Sequence, residues 1–106
     1  MRKLIALMAV AALTAALILS NVAFGATKKV GVRGLKFVPA TLRVSKGTTV
    51  VWHWSGSVPH NVSGKGFKSG LKAKGTLRHK FTKAGTYRYV CSIHKAAGMK
   101  GVIIVR

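Results

Sequence analysis

The stretch Tyr87-Arg88-Tyr89-Val90-Cys91-Ser92-Ile93-His94-Lys95-Ala96-Ala97-Gly98-Met99 decides the fold. Tyr87, Tyr89 and Cys91 alternate with Arg88 and Val90. Side chains two apart on a strand share a face, so this pattern predicts a β-strand with both tyrosines and the thiol pointing inward. A tight loop follows, with His94 three residues after Cys91 and Met99 closing the stretch, and Gly98 lets the backbone turn sharply before it. A second imidazole stands upstream in Val58-Pro59-His60-Asn61-Val62. Downstream, Gly101 to Val105 is a dense β-branched run that predicts a last, buried strand.

Working outward, the rest of the chain also reads as short strands. Val30, Val32 and Leu35-Lys36-Phe37 begin an irregular apolar rhythm, which Pro39 ends or confines to an edge because it cannot donate to a ladder. Leu42 and Val44 share a face, and Lys46-Gly47 reads as a turn. From Thr48 to Trp54, Val50, Trp52 and Trp54 fall on one side and Val51 and His53 on the other. The two indoles read as core or rim residues, with Trp54 near the loop that carries His60. Ser55-Gly56-Ser57 reads as a turn, and Ser63 to Gly75, with four glycines, as loop and short irregular structure. Leu77, His79 and Phe81 alternate with Arg78 and Lys80 as a strand with one wet face, where His79 is expected partly buried and hydrogen-bonded. His53 is expected in solvent. Gly and Pro punctuation without an amphipathic helix after the first residues predicts an all-β sandwich.

Composition narrows the chemistry. The 106 residues contain 19 Lys and Arg and no Asp or Glu. That excludes carboxylate general acids and bases and the oxygen ligands of calcium or magnesium sites. The surface attracts anionic partners. Nucleic acid fits the charge, but export and the lack of a basic recognition helix argue against it. Arg2-Lys3, the apolar run Leu4 to Leu19 and the small residues Ala23 and Gly25 before Ala26 have the layout of a secretory signal peptide. The expected organisation is a leader over 1–25 and one domain over 26–106. The apolar run is short against the roughly 20 residues of a spanning helix. So small a domain gains from a bound metal or partner. Cys91 is the only cysteine, so no disulfide forms within the chain, and metal ligation explains the thiol economically.

One thiolate, two imidazoles and a thioether are the donors that hold copper in both oxidation states. The chain resembles the small blue copper proteins of the cupredoxin family, most closely the plastocyanin and pseudoazurin group. The resemblance rests on Phe37-Val38-Pro39, Gly47 to Trp52, Val58-Pro59-His60-Asn61-Val62, Phe81, Ala84 to Cys91, and Cys91-Ser92-Ile93-His94 through Gly98-Met99-Lys100-Gly101. It implies a cupredoxin-like Greek-key β-sandwich of about six to eight strands with one type 1 copper ion. His60, Cys91 and His94 would be equatorial ligands and Met99 the weak axial one. Asn61 would hydrogen-bond on the thiolate side and tie the two ligand loops together, and Tyr87 would serve packing and hydrogen bonding.

The function so implied is one-electron transfer, without turnover of a substrate, by an exported monomeric protein in the periplasm or on the outer face of the cytoplasmic membrane. Its partner would be a redox protein with an acidic docking surface, and an anionic membrane surface is a further possible contact. Ile93 stands where relatives often have proline, and Trp54 where they commonly have a small polar residue. The competing readings are a copper chaperone or storage module and a basic polyanion-binding protein. Against the first, only three methionines occur, Met1 and Met8 among them in the leader. Against a multicopper enzyme, there is no second copper centre and no His-x-His pair.

Overall fold

The computed structural model describes residues 25–106, so the leader expected over 1–25 lies, apart from Gly25, outside the described residues. The described residues form nine strands: β1 (Thr27–Arg33), β2 (Lys36–Val38), β3 (Thr41–Val44), β4 (Thr48–His60), β5 (Ser63–Gly64), β6 (Phe67–Lys68), β7 (Lys72–Phe81), β8 (Gly85–Val90) and β9 (Lys100–Val105). They make a Greek-key-like sandwich of two sheets, ordered β2-β1-β4-β7 and β3-β9-β8-β5-β6. β1 pairs parallel with β4 and β3 with β9, and every other pairing is antiparallel.

The inward alternation holds where the sequence carries it. Val50, Trp52 and Trp54 are buried and His53 is exposed. Trp52 sits at the centre, stacked on Phe67 at 5.4 Å and meeting Tyr89 edge-on at 5.5 Å, while Phe37 and Phe81 extend the cluster. Fully burying a side chain of this kind contributes roughly 1.5–3 kcal/mol. With no acidic side chain in the sequence, this burial and not ion pairing holds the sheets together. The core does contain unmet polar groups: Trp52 Nε1 and Tyr89 OH are buried without a hydrogen-bond partner. Burial pushes the Tyr89 phenol up to about 12, so it stays neutral.

Two glycines are fixed by their cross-strand partners. Gly101 lies opposite Tyr89 and Gly64 opposite Phe67, and a Cβ at either would run into the partner's ring. The aromatic rings therefore lie over bare backbone.

Three expectations are corrected. The strands number nine and not six to eight, because β2, β5 and β6 are only two or three residues long and exist through pairing with neighbours, not through their own propensity. Ser55-Gly56-Ser57 is not a turn. β4 runs on to His60, and its register with β7 jumps from Ser55–Lys74 to His60–Lys72, which leaves a bulged segment between. Ser63 to Gly75 is not mainly loop, since it holds the β5–β6 hairpin and the start of β7, three residues into which falls Gly75. His79 is half-buried, as expected, but it packs on the Phe67 and Phe81 rings at 5.4 and 4.7 Å, and no side-chain hydrogen bond to it is seen among the described residues.

Candidate metal centre

β4 ends on His60, and β8 ends at Val90, immediately before Cys91. The loop after Cys91 is wound tightly by its own backbone. His94 N–H donates to Cys91 O at 3.2 Å, a short 3-10 turn spans Lys95–Ala97, and Gly98 takes a left-handed φ of 85°. Met99 then pairs with both ends of the loop, its N–H donating to His94 O at 3.3 Å and its carbonyl accepting from Cys91 N–H at 3.0 Å. The loop so closed carries one thiol, one imidazole and one thioether within nine residues of chain. Cys91, Met99 and His60 are buried, and His94 is partly exposed.

His60, Cys91 and His94 bring their donor atoms together. His60 Nδ1 and His94 Nδ1 are 3.2 Å apart, Cys91 Sγ lies 3.5 Å from His94 Nδ1, and 3.9 Å separates it from His60 Nδ1. A circle through the corners of a triangle with these sides has a radius of about 2.1 Å, which matches the ~2.0–2.3 Å over which nitrogen and sulfur bind a first-row ion. One ion fits at bonding distance from all three atoms. A Cys-His-His trigonal set with a nearby methionine is the donor pattern of blue copper sites. Over residues 25–106 the sequence matches the copper binding proteins of the plastocyanin/azurin family.

The chain belongs to that family. Halocyanin from Natronomonas pharaonis is 41% identical over 83 residues, a match covering 71% of this chain and 51% of the halocyanin. The chain thus spans about half the length of that relative. Plastocyanin from Scenedesmus fuscus is 36% identical over 87 residues, covering 68% of this chain and 88% of the plastocyanin. Among solved structures, the reduced state of an amicyanin variant superposes with a TM-score of 0.68 at 31% identity, covering 76% of this chain and 82% of the amicyanin. A purple cupredoxin from Nitrosopumilus maritimus gives a TM-score of 0.65 at 27% identity, covering 74% and 99%. The cofactor of this plastocyanin/azurin-type site is a single copper ion, in keeping with its donor set.

The surroundings of the cupredoxin site hold its donors in place. Burial lowers the pKa of His60, the neighbouring His94 ring lowers it further, and a backbone hydrogen bond at Gly34 acts in the opposite direction. The net effect keeps the ring neutral, the form in which a nitrogen lone pair is free for metal. Asn61 joins the two ligand segments: its Nδ2 donates to Ser92 Oγ at 2.8 Å, and Ser92 N–H donates to Asn61 Oδ1 at 2.8 Å. Trp54 Nε1–H donates to the His60 carbonyl at 3.0 Å. Lys72, which pairs with His60 across β7, places its ammonium 5.1 Å from the Trp54 ring.

The structure thus draws together His60, Cys91 and His94, with Met99 on the same loop, and leaves His53 and His79 apart. Ser92 and Lys72 were not legible as parts of the site, nor was the indole bond of Trp54. Only the adjacency of Ser92 to Cys91 offered a signal.

Proposed function

We propose that His60, Cys91 and His94 hold one copper ion with Met99 as the weak axial donor, and that the protein carries single electrons between partner proteins. The observation that supports this most is the near-equidistant triangle formed by one buried thiol sulfur and two imidazole nitrogens. When bound, copper supplies the Cu(II)/Cu(I) couple. The chain supplies rigidity: the donors sit on packed strands and on a loop closed by its own hydrogen bonds, so they move little between oxidation states. Buried His60 and Cys91 keep water from the site, while His94 reaches the surface. It therefore offers the shortest path for an electron to a docked protein.

An apolar rim supports docking at that end. Ile93 is 53% exposed beside His94, Leu71 is 57% exposed next to Lys72, the partner of His60, and Leu35 is 48% exposed after Gly34, which bonds His60. Lys36, Lys72 and Lys95 follow Leu35, Leu71 and His94 directly in the chain, and the sequence has no acidic side chain to offset them, so the partner we infer is a redox protein with an acidic face. The leader over 1–25 and the domain over 26–106 fit a monomeric carrier exported to the periplasm or the outer face of the cytoplasmic membrane. A chaperone or storage role fits less well, because release of metal would require opening buried His60 and Cys91.

The test is a visible and electron paramagnetic resonance spectrum of the protein with one equivalent of Cu(II). Intense thiolate-to-copper absorption with narrow parallel hyperfine splitting is expected, and Cys91→Ser should abolish that absorption while circular dichroism stays unchanged. A colourless complex, or a Cys91→Ser variant that keeps its colour, would overturn the ligand assignment.

A further inference from the structure

The outer face of the β2-β1-β4-β7 sheet carries none of the three donor residues His60, Cys91 and His94. Alternation puts Val30, Val32, Phe37, Val50, Trp52 and Trp54 inside, so Lys29, Gly31 and Arg33 of β1 point outward. On the same face stand Thr49, Val51, His53 and Ser55 of β4, and Lys74, Thr76, Arg78 and Lys80 of β7. The register sets these in rows. Lys29 and Arg78 flank Val51 directly, Gly31 and Thr76 flank His53, Thr49 lies beside Lys80, and Ser55 beside Lys74. Lys36 of β2 pairs with Arg33 and so joins its side.

The result is a trough with two cationic banks. Lys29, Arg33 and Lys36 form one, and Lys74, Arg78 and Lys80 the other, with the β4 residues as floor. Two strand spacings put Lys29 and Arg33 roughly 9.6 Å from the β7 bank, with Lys36 one strand farther out, and the cations of one strand stand about 6.7 Å apart or multiples of it. Val51 is only 5% exposed although it faces outward, and Lys29 and Arg78 are its cross-strand neighbours on either side, whose aliphatic stems are long enough to cover it. The sequence has no carboxylate side chain to neutralise either bank. The outer face of the other sheet differs. There Arg43, Arg88 and Lys100 are scattered among Val90, Val102 and Ile104 and form no facing rows.

We propose that this trough binds a linear, flexible phosphate polymer, holding the carrier on an anionic matrix. Arg and Lys on both sides of a channel suit phosphate, which Arg engages through its planar fork and Lys as a point charge. Val38, 37% exposed and opposite Gly31, is the large apolar side chain this face exposes among the described residues, and the floor of Thr49, Val51, His53 and Ser55, with Gly31 and Thr76, carries no Trp, Tyr or Phe, so the desolvated aromatic centre of a protein–protein interface is missing. For stacking bases it offers a single exposed ring, the His53 imidazole, and no succession of rings along the strand. A flat membrane fits poorly because the strands twist by roughly 20–25° each and carry the banks out of one plane. A flexible chain follows that twist.

The experiment is a titration of end-labelled long-chain inorganic polyphosphate with the protein, read by fluorescence anisotropy at several salt concentrations near 100 mM. The variants are Lys74→Gln/Arg78→Gln/Lys80→Gln on one bank, Lys29→Gln/Arg33→Gln/Lys36→Gln on the other, and Arg43→Gln/Arg88→Gln/Lys100→Gln on the opposite sheet, each losing three charges. Either bank variant should bind about tenfold or more weakly and lower the slope of log affinity against log salt by about 2. The opposite-sheet variant should lose less than about threefold. Equal loss in all three would show undirected charge attraction and overturn the trough. Stronger binding to vesicles of anionic lipid than to polyphosphate would overturn the choice of occupant. If circular dichroism shows a triple variant unfolded, the single substitutions Lys80→Gln and Lys100→Gln make the same comparison, with the same two outcomes.

Discussion

The indole Nε1–H of Trp54 donates to the backbone carbonyl of His60 at 3.0 Å, across the segment where β4 departs from regular pairing with β7. Six residues separate the two, and both are buried. The bond ties the ends of the bulge together and so fixes where the His60 ring leaves the strand. Trp54→Phe keeps an aromatic ring but leaves a buried carbonyl without its donor, which costs about 1–3 kcal/mol, and the smaller ring adds a packing loss to it. Urea denaturation of the metal-free protein should show that loss, and copper loading should broaden the spectrum. A variant as stable as the parent would mean that the bond contributes nothing net.

Asn61 and Ser92 exchange two hydrogen bonds at 2.8 Å and bridge the β4 and β8 ligand segments. They lie partly in solvent, so Asn61→Ala should cost only about 1 kcal/mol of stability. Its larger effect is on kinetics, because the Cys91 segment can then part from the His60 segment. Copper transfer to a chelator should be at least severalfold faster than in the parent. An unchanged transfer rate would show that loop closure by Met99 and His94 is sufficient.

Met99 is fully buried at the end of the loop and is bonded through its backbone to Cys91 and His94. Met99→Gln places an oxygen donor where a soft sulfur stood, and oxygen favours the oxidised ion. Voltammetry should show a lower reduction potential with the intense visible band retained. If the potential does not move, Met99 is packing and not an axial ligand.

His60 carries a pH dependence of stability in the metal-free protein. Its folded pKa is lowered by burial and by His94, against about 6.5 when unfolded. Above that value the ring is neutral in both states and the contribution is complete. As pH falls, the unfolded chain takes up a proton that the folded one resists, so stability declines until the folded pKa is also passed. The thermal midpoint should fall between about pH 7.5 and about pH 5, and His60→Gln should flatten the decline. A midpoint that rises on acidification would reverse the assignment.

The sequence by itself determined the class of fold, the candidate donors and the electrostatics. Tyr87, Tyr89 and Cys91 share a face because a strand repeats every two residues, and that periodicity is local. The spacing of Cys91, His94 and Met99 sets the size of the loop, and His60 stands out upstream for the same chemical reason. The absence of Asp and Glu is a matter of counting. Only the tertiary structure decided the rest, because it depends on which residues lie opposite one another across strands. Trp54 reaches the His60 carbonyl, Asn61 meets Ser92 and Gly101 passes beneath Tyr89 through strand pairing and chain crossing, and no local rhythm encodes those partners. The β5–β6 hairpin and the continuation of β4 through Ser55-Gly56-Ser57 were hidden likewise, since backbone groups there find partners on other strands. The facing banks of Lys29 and Arg78 around Val51 arise from register alone, which a list of lysines and arginines does not contain.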